Sequence, residues 1–199
     1  MPAAETEYQA HLHGPWCDIQ GHLPFLYQAV ADRAGAVVIE LGVRYGESTR
    51  ALLAAAARCG GQVWSCDLHI PEVPGITWND ERWHFVPGDD LGQRALEHLP
   101  QQCDVLFLDA HCDHWTAAEV REHLLAELRA YAPRVRPGGI IMAHDTQWQP
   151  PATDLGAPGG GVALALDDWC AETGLSWQNR PGHYGLGVIS IPARIINGG

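Results

Sequence analysis

The chain has 199 residues, 46% of them hydrophobic and 18% charged, which is enough apolar matter for a packed core and excludes a disordered chain. Twenty-four acidic residues face 12 arginines and no lysine, a formal net charge of −12 that disfavours nucleic-acid phosphates or an anionic membrane surface as partners. No run approaches the ~18 apolar residues of a membrane span and the start lacks a signal-peptide layout, so the expectation is one cytoplasmic domain over residues 1–199.

Residues 1–20 read as an N-terminal extension. Residues 23–34 carry apolar positions at helical spacing, and 36–41 (AVVIEL) form a short buried strand. Residues 48–58 (STRALLAAAAR) predict a helix with a Ser or Thr N-cap that stops before Gly60-Gly61. Strands follow at 62–66 and, more weakly, at 83–86, then a short helix at 92–99. A buried strand at 103–108 (CDVLFL) leads to a long amphipathic helix at 117–131, and a strand at 140–143 follows. The Pro- and Gly-rich stretch 149–161 reads as a loop, ahead of a helix at 162–173 and a last strand at 186–191. Alternation of this kind predicts an α/β fold, a doubly wound parallel sheet with helices on both faces. The six cysteines show no C-x-x-C pair and read as buried small hydrophobes.

The sharpest motif is V-V-I-E40-L-G42-V-R-Y-G46-E-S48-T49, a strand running through a glycine turn into a helix. Open α/β sheets bind ligands at the carboxyl ends of their strands. Glycine there admits a ligand close to the backbone, and the helix start offers free N–H groups to an anion. Asp67 closes the second strand, where an acid commonly takes two ribose hydroxyls. The spacing is G-x-x-x-G and not G-x-G-x-x-G, which makes an NAD-linked enzyme the lesser alternative. A ligand-free turn is the plainer reading, but a carboxylate ending a buried strand is expensive without a partner.

A second group of chemistry-bearing residues follows the fourth and fifth strands: Asp109, His111, Cys112, Asp113 and His114, then His144 and Asp145. Oxygen and nitrogen donors gathered from neighbouring strand ends suit a divalent ion. Carboxylates favour Mg2+ or Mn2+, and added imidazole shifts the balance towards a transition metal. A zinc site in the run 111–114 is disfavoured because adjacent side chains rarely both reach one tetrahedral ion.

The E-L-G-x-x-x-G-x-S turn resembles motif I of the class I S-adenosylmethionine-dependent methyltransferases. It is most similar to the catechol-type and cephalosporin-hydroxylase/sugar O-methyltransferase-like branches. The resemblance extends to D104-V-L-F-L-D109-A-H111, to R134-V-R-P-G-G-I-I-M-A-H144-D145-T146 and to G185-L-G-V, over roughly residues 16–192. It implies a Rossmann-like, seven-stranded, mostly parallel sheet with a reversed last strand. It also implies methyl transfer from S-adenosylmethionine to a small-molecule hydroxyl, with a non-catalytic cofactor-binding module of the same fold as the alternative. The substrate expected is a small molecule, with no nucleic-acid or membrane partner and a homo-oligomer left open.

By the same resemblance, Glu40, Gly42 and the Gly46, Ser48 and Thr49 turn hold the methionine part of the cofactor. Asp67 holds the ribose, and Asp89 or Asp90 lies near the adenine; an N-cap pair for the helix at 92 is the equal alternative. Asp109 and Asp145 are the implied metal ligands, with His144 at the third position where relatives carry an acid. About six extra residues, around 112–117, precede an E122-H123-x-x-x-E127-L run similar to that of relatives, so the resemblance alone does not fix the base; His111 is chosen because it is two residues from Asp109, and His114 comes next. An imidazole titrating near pH 6.5 suits removal of a hydroxyl proton. Trp148 reads either as a pocket wall or as core packing. Trp78, Trp83 and Trp115 have no assigned place, and His22 and His183 read as surface or core histidines.

Overall fold

In the computed structural model, residues 3–69, 80–111, 115–147 and 160–193 are described. His114, the 112–113 pair, Trp78, Trp148 and nearly all of the 149–161 loop lie outside them.

Seven strands form one sheet in the order β3-β2-β1-β4-β5-β7-β6. The strands are β1 Val37–Leu41, β2 Gln62–Asp67, β3 Trp83–Pro87, β4 Cys103–Leu108, β5 Val135–His144, β6 Gln178–Arg180 and β7 Leu186–Ser190. β1 to β5 run parallel, and β7 is antiparallel to both β5 and β6. This is the Rossmann-like architecture with a reversed last strand. Six helices flank the sheet: α1 Ala3–Leu12, α2 Leu23–Ala31, α3 Glu47–Cys59, α4 Gln93–His98, α5 Ala117–Tyr131 and α6 Gly160–Thr173.

Period-two alternation along the central strands divides the core. Val38, Val105, Phe107 and Met142 pack under α1, α2 and α3. Ile39, Leu41, Leu106, Leu108 and Ile141 pack under α4, α5 and α6. β1 and β4 are therefore buried on both faces and read as continuous apolar runs. Among the described residues no helix is long and apolar enough to cross a membrane. Among the described residues five cysteines are free thiols, four of them buried.

Four elements differ from the sequence expectation, the first being β5, which starts at Val135, where it pairs with Cys103, and not at residue 140. Residues 3–12 form a helix: Ala4 and Tyr8, one turn apart, are buried, and the Tyr8 ring stacks on Tyr27 at 5.0 Å. β6 has three exposed polar residues, so it carries no apolar signal and exists only by pairing with β7. α3 is capped by neither Ser48 nor Thr49; Gly46, at φ 72°, occupies the N-cap and makes no side-chain bond. α5, by contrast, begins where its sequence says, on a Thr116–Glu119 capping box.

Candidate active site

A cavity of about 590 Å³ opens at the carboxyl ends of β1, β2, β3, β4 and β5. That is the size range of small-molecule sites, ~300–1,000 Å³. Gly42, Ser48, Asp67, Asp89, Asp90, Asp109, His111 and Asp145 all line it, so most of the residues singled out in the sequence converge on one space. Arg44, Tyr45, Leu68, Trp115 and His123 are also part of the wall, and none of these was foreseen in that role.

The turn after β1 is fixed from two sides. Gly42 has φ +89°, and a Cβ there would fall 2.1 Å from the Asp109 carbonyl oxygen. Only glycine lets β1 and β4 end this close together. On the other side, Asp67 Oδ2 accepts from the amides of Val43 (2.7 Å) and Arg44 (2.9 Å). Arg44 is held at φ 48°, a left-handed conformation uncommon outside glycine. Asp67 Oδ1 accepts from the His69 amide at 3.1 Å. A carboxylate has about four acceptor positions, so Asp67 keeps one to offer into the cavity.

Glu40 stands behind this wall instead of lining it. Its carboxylate is fully buried and accepts from the hydroxyls of Ser48 (2.6 Å), Thr49 (3.0 and 2.9 Å) and Ser65 (2.5 Å). Ser65 in turn accepts from the Trp83 indole at 2.9 Å. Burial pushes the Glu40 carboxyl up to about 7 against the pull of these hydroxyls. Glu40 and Thr49 therefore tie β1, β2 and the first turn of α3 together, and Gly46 supplies the bend. The cap expectation fails for the next pair as well: Gly92 is the N-cap of α4, with no side-chain bond. Asp89 instead accepts from the Leu91 amide at 2.9 Å as a local turn, and Asp90 points towards α5.

The strand ends of β4 and β5 bring Asp109, His111, His144 and Asp145 together. His111 Nε2 lies 3.0 Å from Asp145 Oδ2. Burial acts to lower the His111 pKa, but the Asp145 hydrogen bond and the Asp109 and Asp145 charges prevail and raise it. His144 is almost wholly buried, and its Nε2–H donates to the His183 carbonyl at 2.9 Å. Its Nδ1 therefore faces the carboxylates, 3.5 Å from Asp109 Oδ1 and 3.2 Å from Asp145 Oδ1. Burial opposes a charge on His144, yet Asp109 and Asp145 carry its pKa up to about 9. Burial raises the Asp109 carboxyl.

One nitrogen and two carboxylate oxygens within 4.8 Å of one another form a donor set for a divalent cation. Asp145 Oδ1 is buried without a hydrogen bond among the described residues, with His144 Nδ1 at 3.2 Å, and a cation would satisfy it. Asp145 also sits at φ 69°, a strained position of the kind that collects at functional sites. The residues fit the ion. Two further histidines cluster with His144: the His22 ring lies 6.0 Å from His144 and 6.1 Å from His183. Their backbone-mediated placement leaves no spacing signal in the sequence.

Residues 39–146 match a family described as a methyltransferase domain. The fold is similar to that of the S-adenosylhomocysteine-bound methyltransferase of Podospora anserina, at 16% identity and a TM-score of 0.62, covering 95% of this chain and 88% of that one. It is similar to the O-methyltransferase from Bacillus cereus in complex with S-adenosylhomocysteine, at 18% identity and a TM-score of 0.61, covering 96% and 91%. It is also similar to the O-methyltransferase TomG of Streptomyces achromogenes, involved in tomaymycin synthesis and bound to S-adenosylmethionine, at 15% identity and a TM-score of 0.59, covering 97% and 91%. No curated protein matches the chain in sequence.

Proposed function

The chain belongs to the methyltransferase-domain family, with the class I S-adenosylmethionine-dependent fold, and from that premise we propose that it methylates a hydroxyl of a small molecule. The observation that carries this reading is a single cavity. It is lined by the Gly42 turn, Asp67 and Asp89 as well as by the His111–Asp145 pair.

The roles divide along the cavity. Asp67 fixes the Val43 and Arg44 amides and offers its remaining acceptor position to the ribose. Asp89 faces the adenine end, and Ser48 and Gly42 border the methionine part. The cofactor supplies an activated methyl on a sulfonium: the C–O bond forms as the C–S bond breaks, and the hydroxyl proton leaves. Alignment by these contacts accounts for much of the rate in such a reaction.

The chain has no lysine, which leaves a histidine, a carboxylate or a metal-bound group as the base; this reading assigns the proton to His111, a cavity-lining imidazole with Asp145 orienting its Nε2. Asp109, His144 and Asp145 would hold a divalent cation, which when bound lowers the pKa of a coordinated hydroxyl. The two carboxylates suit Mg2+ or Mn2+, and the imidazole beside them shifts the preference from Mg2+ towards a transition ion.

The test combines calorimetry with S-adenosylmethionine and transfer of a labelled methyl group to a panel of catechols, phenols and sugars, before and after chelation. Transfer to an acceptor oxygen that falls on chelation and returns with Mn2+ is expected. Binding without transfer to any acceptor would leave a cofactor-binding module, and absence of binding would overturn the whole reading.

A further inference from the structure

A second set of metal-type donors, sharing no residue with the one described above, borders the same cavity. Asp90 follows β3, and His123 and Glu127 stand one turn apart on α5. His123 Nε2 is 3.2 Å from Asp90 Oδ2 and 3.8 Å from Glu127 Oε1, and the three donor atoms lie within 4.8 Å of one another. Ligands at ~2.0–2.1 Å around a tetrahedral ion stand roughly 3.3 Å apart, close to these separations.

The polar accounting of the cluster is incomplete. Glu127 is 2% exposed and Asp90 8% exposed. Glu127 Oε1 and Asp90 Oδ1 are both buried with no hydrogen-bond partner among the described residues. Two carboxyl groups buried side by side with orphaned oxygens are costly unless a cation or a proton joins them. The Trp115 ring covers His123 edge-on at 4.9 Å, while Asp90 and His123 both reach the main cavity, which gives an ion a way in.

We propose that Asp90, His123 and Glu127 form a second divalent transition-metal site that clamps α5 to the loop after β3. The site has two carboxylates and one imidazole, with water completing the coordination, and its role is structural. It holds Asp89, one residue away, at the adenine end of the cavity.

Zn2+ titration of the full chain, with bound metal counted after dialysis, tests this. The wild type is expected to retain two ions, Glu127→Gln one, and Asp145→Asn one. The Gln amide can donate to Asp90 as a protonated Glu127 would. A carboxyl pair with no metal role would therefore leave the ion count of Glu127→Gln equal to wild type, which overturns the proposal. A single ion lost only in Asp145→Asn overturns it too. A single ion lost only in Glu127→Gln keeps it while removing the ion from the other site. Independently of any variant, Zn2+ should shift the His123 Nε2 nitrogen resonance of the wild-type protein, and an unmoved resonance counts against the site.

Discussion

Gly42 and the Asp109 carbonyl are in contact across the ends of β1 and β4, with a Cβ at Gly42 falling 2.1 Å from the carbonyl oxygen. The contact involves backbone on both sides, so neither partner can turn away. Gly42→Ala therefore has to move a strand end as well as adopt φ +89°. Left-handed strain of ~1–2 kcal/mol and overpacking of ~1–3 kcal/mol set the scale. A loss of about 2–4 kcal/mol in chemical denaturation is expected, together with weakened binding of S-adenosylmethionine. A variant as stable as wild type would mean that the two strand ends separate easily.

Glu40 gives the fold a pH dependence of defined sign. Its carboxyl is raised from 4.5 to about 7 by burial, so between those values the folded protein holds a proton that the unfolded chain releases. That contribution is fully present below pH 4.5 and is lost as pH rises through about 7. At 1.36 kcal/mol per unit, the gap corresponds to roughly 3 kcal/mol. Denaturant melts from pH 4.5 to 8 should show wild type losing about that much more stability than Glu40→Gln. Parallel profiles for the two proteins would contradict it.

The central strands and α5 were legible in the sequence because their signals are local. CDVLFL and VVIEL are apolar on both faces, and α5 opens on its own capping box. Asp67, Asp109, His111 and Asp145 were legible as a group because each ends or follows a parallel strand, and parallel strands end on one side. What escaped depends on contacts between distant segments. Ser65 and Trp83 satisfy Glu40 from neighbouring strands. His123 meets Asp90 only through the way α5 lies over the loop after β3. β6 needs β7 to exist. The glycine motif marked Glu40 correctly as special, but only packing shows that it faces three hydroxyls and not the cavity.

Asp67 supports the turn that it is expected to share with the cofactor. Asn at this position replaces one carboxylate oxygen by an amino group, and three backbone donors then compete for one oxygen. Hydrogen bonds to a charged group contribute ~1.5–3 kcal/mol each. Asp67→Asn is expected to lower affinity for S-adenosylmethionine by about 10- to 100-fold in calorimetry, while thermal melting stays cooperative. Unchanged affinity would place the ribose elsewhere in the cavity.

His111 separates binding from chemistry. It lines the reacting end of the cavity and hydrogen-bonds Asp145, whereas Asp67 holds the amides of the turn after Gly42. General-base catalysis contributes ~10²–10⁴-fold to a rate. Single-turnover methyl transfer by His111→Gln should fall within that range, with the Kd for S-adenosylmethionine changed less than about twofold. The Gln side chain can still donate to Asp145, so a fall in rate at constant affinity points to the lost base and not to a collapsed site. Wild-type turnover in His111→Gln would move the base to another group at the same strand ends.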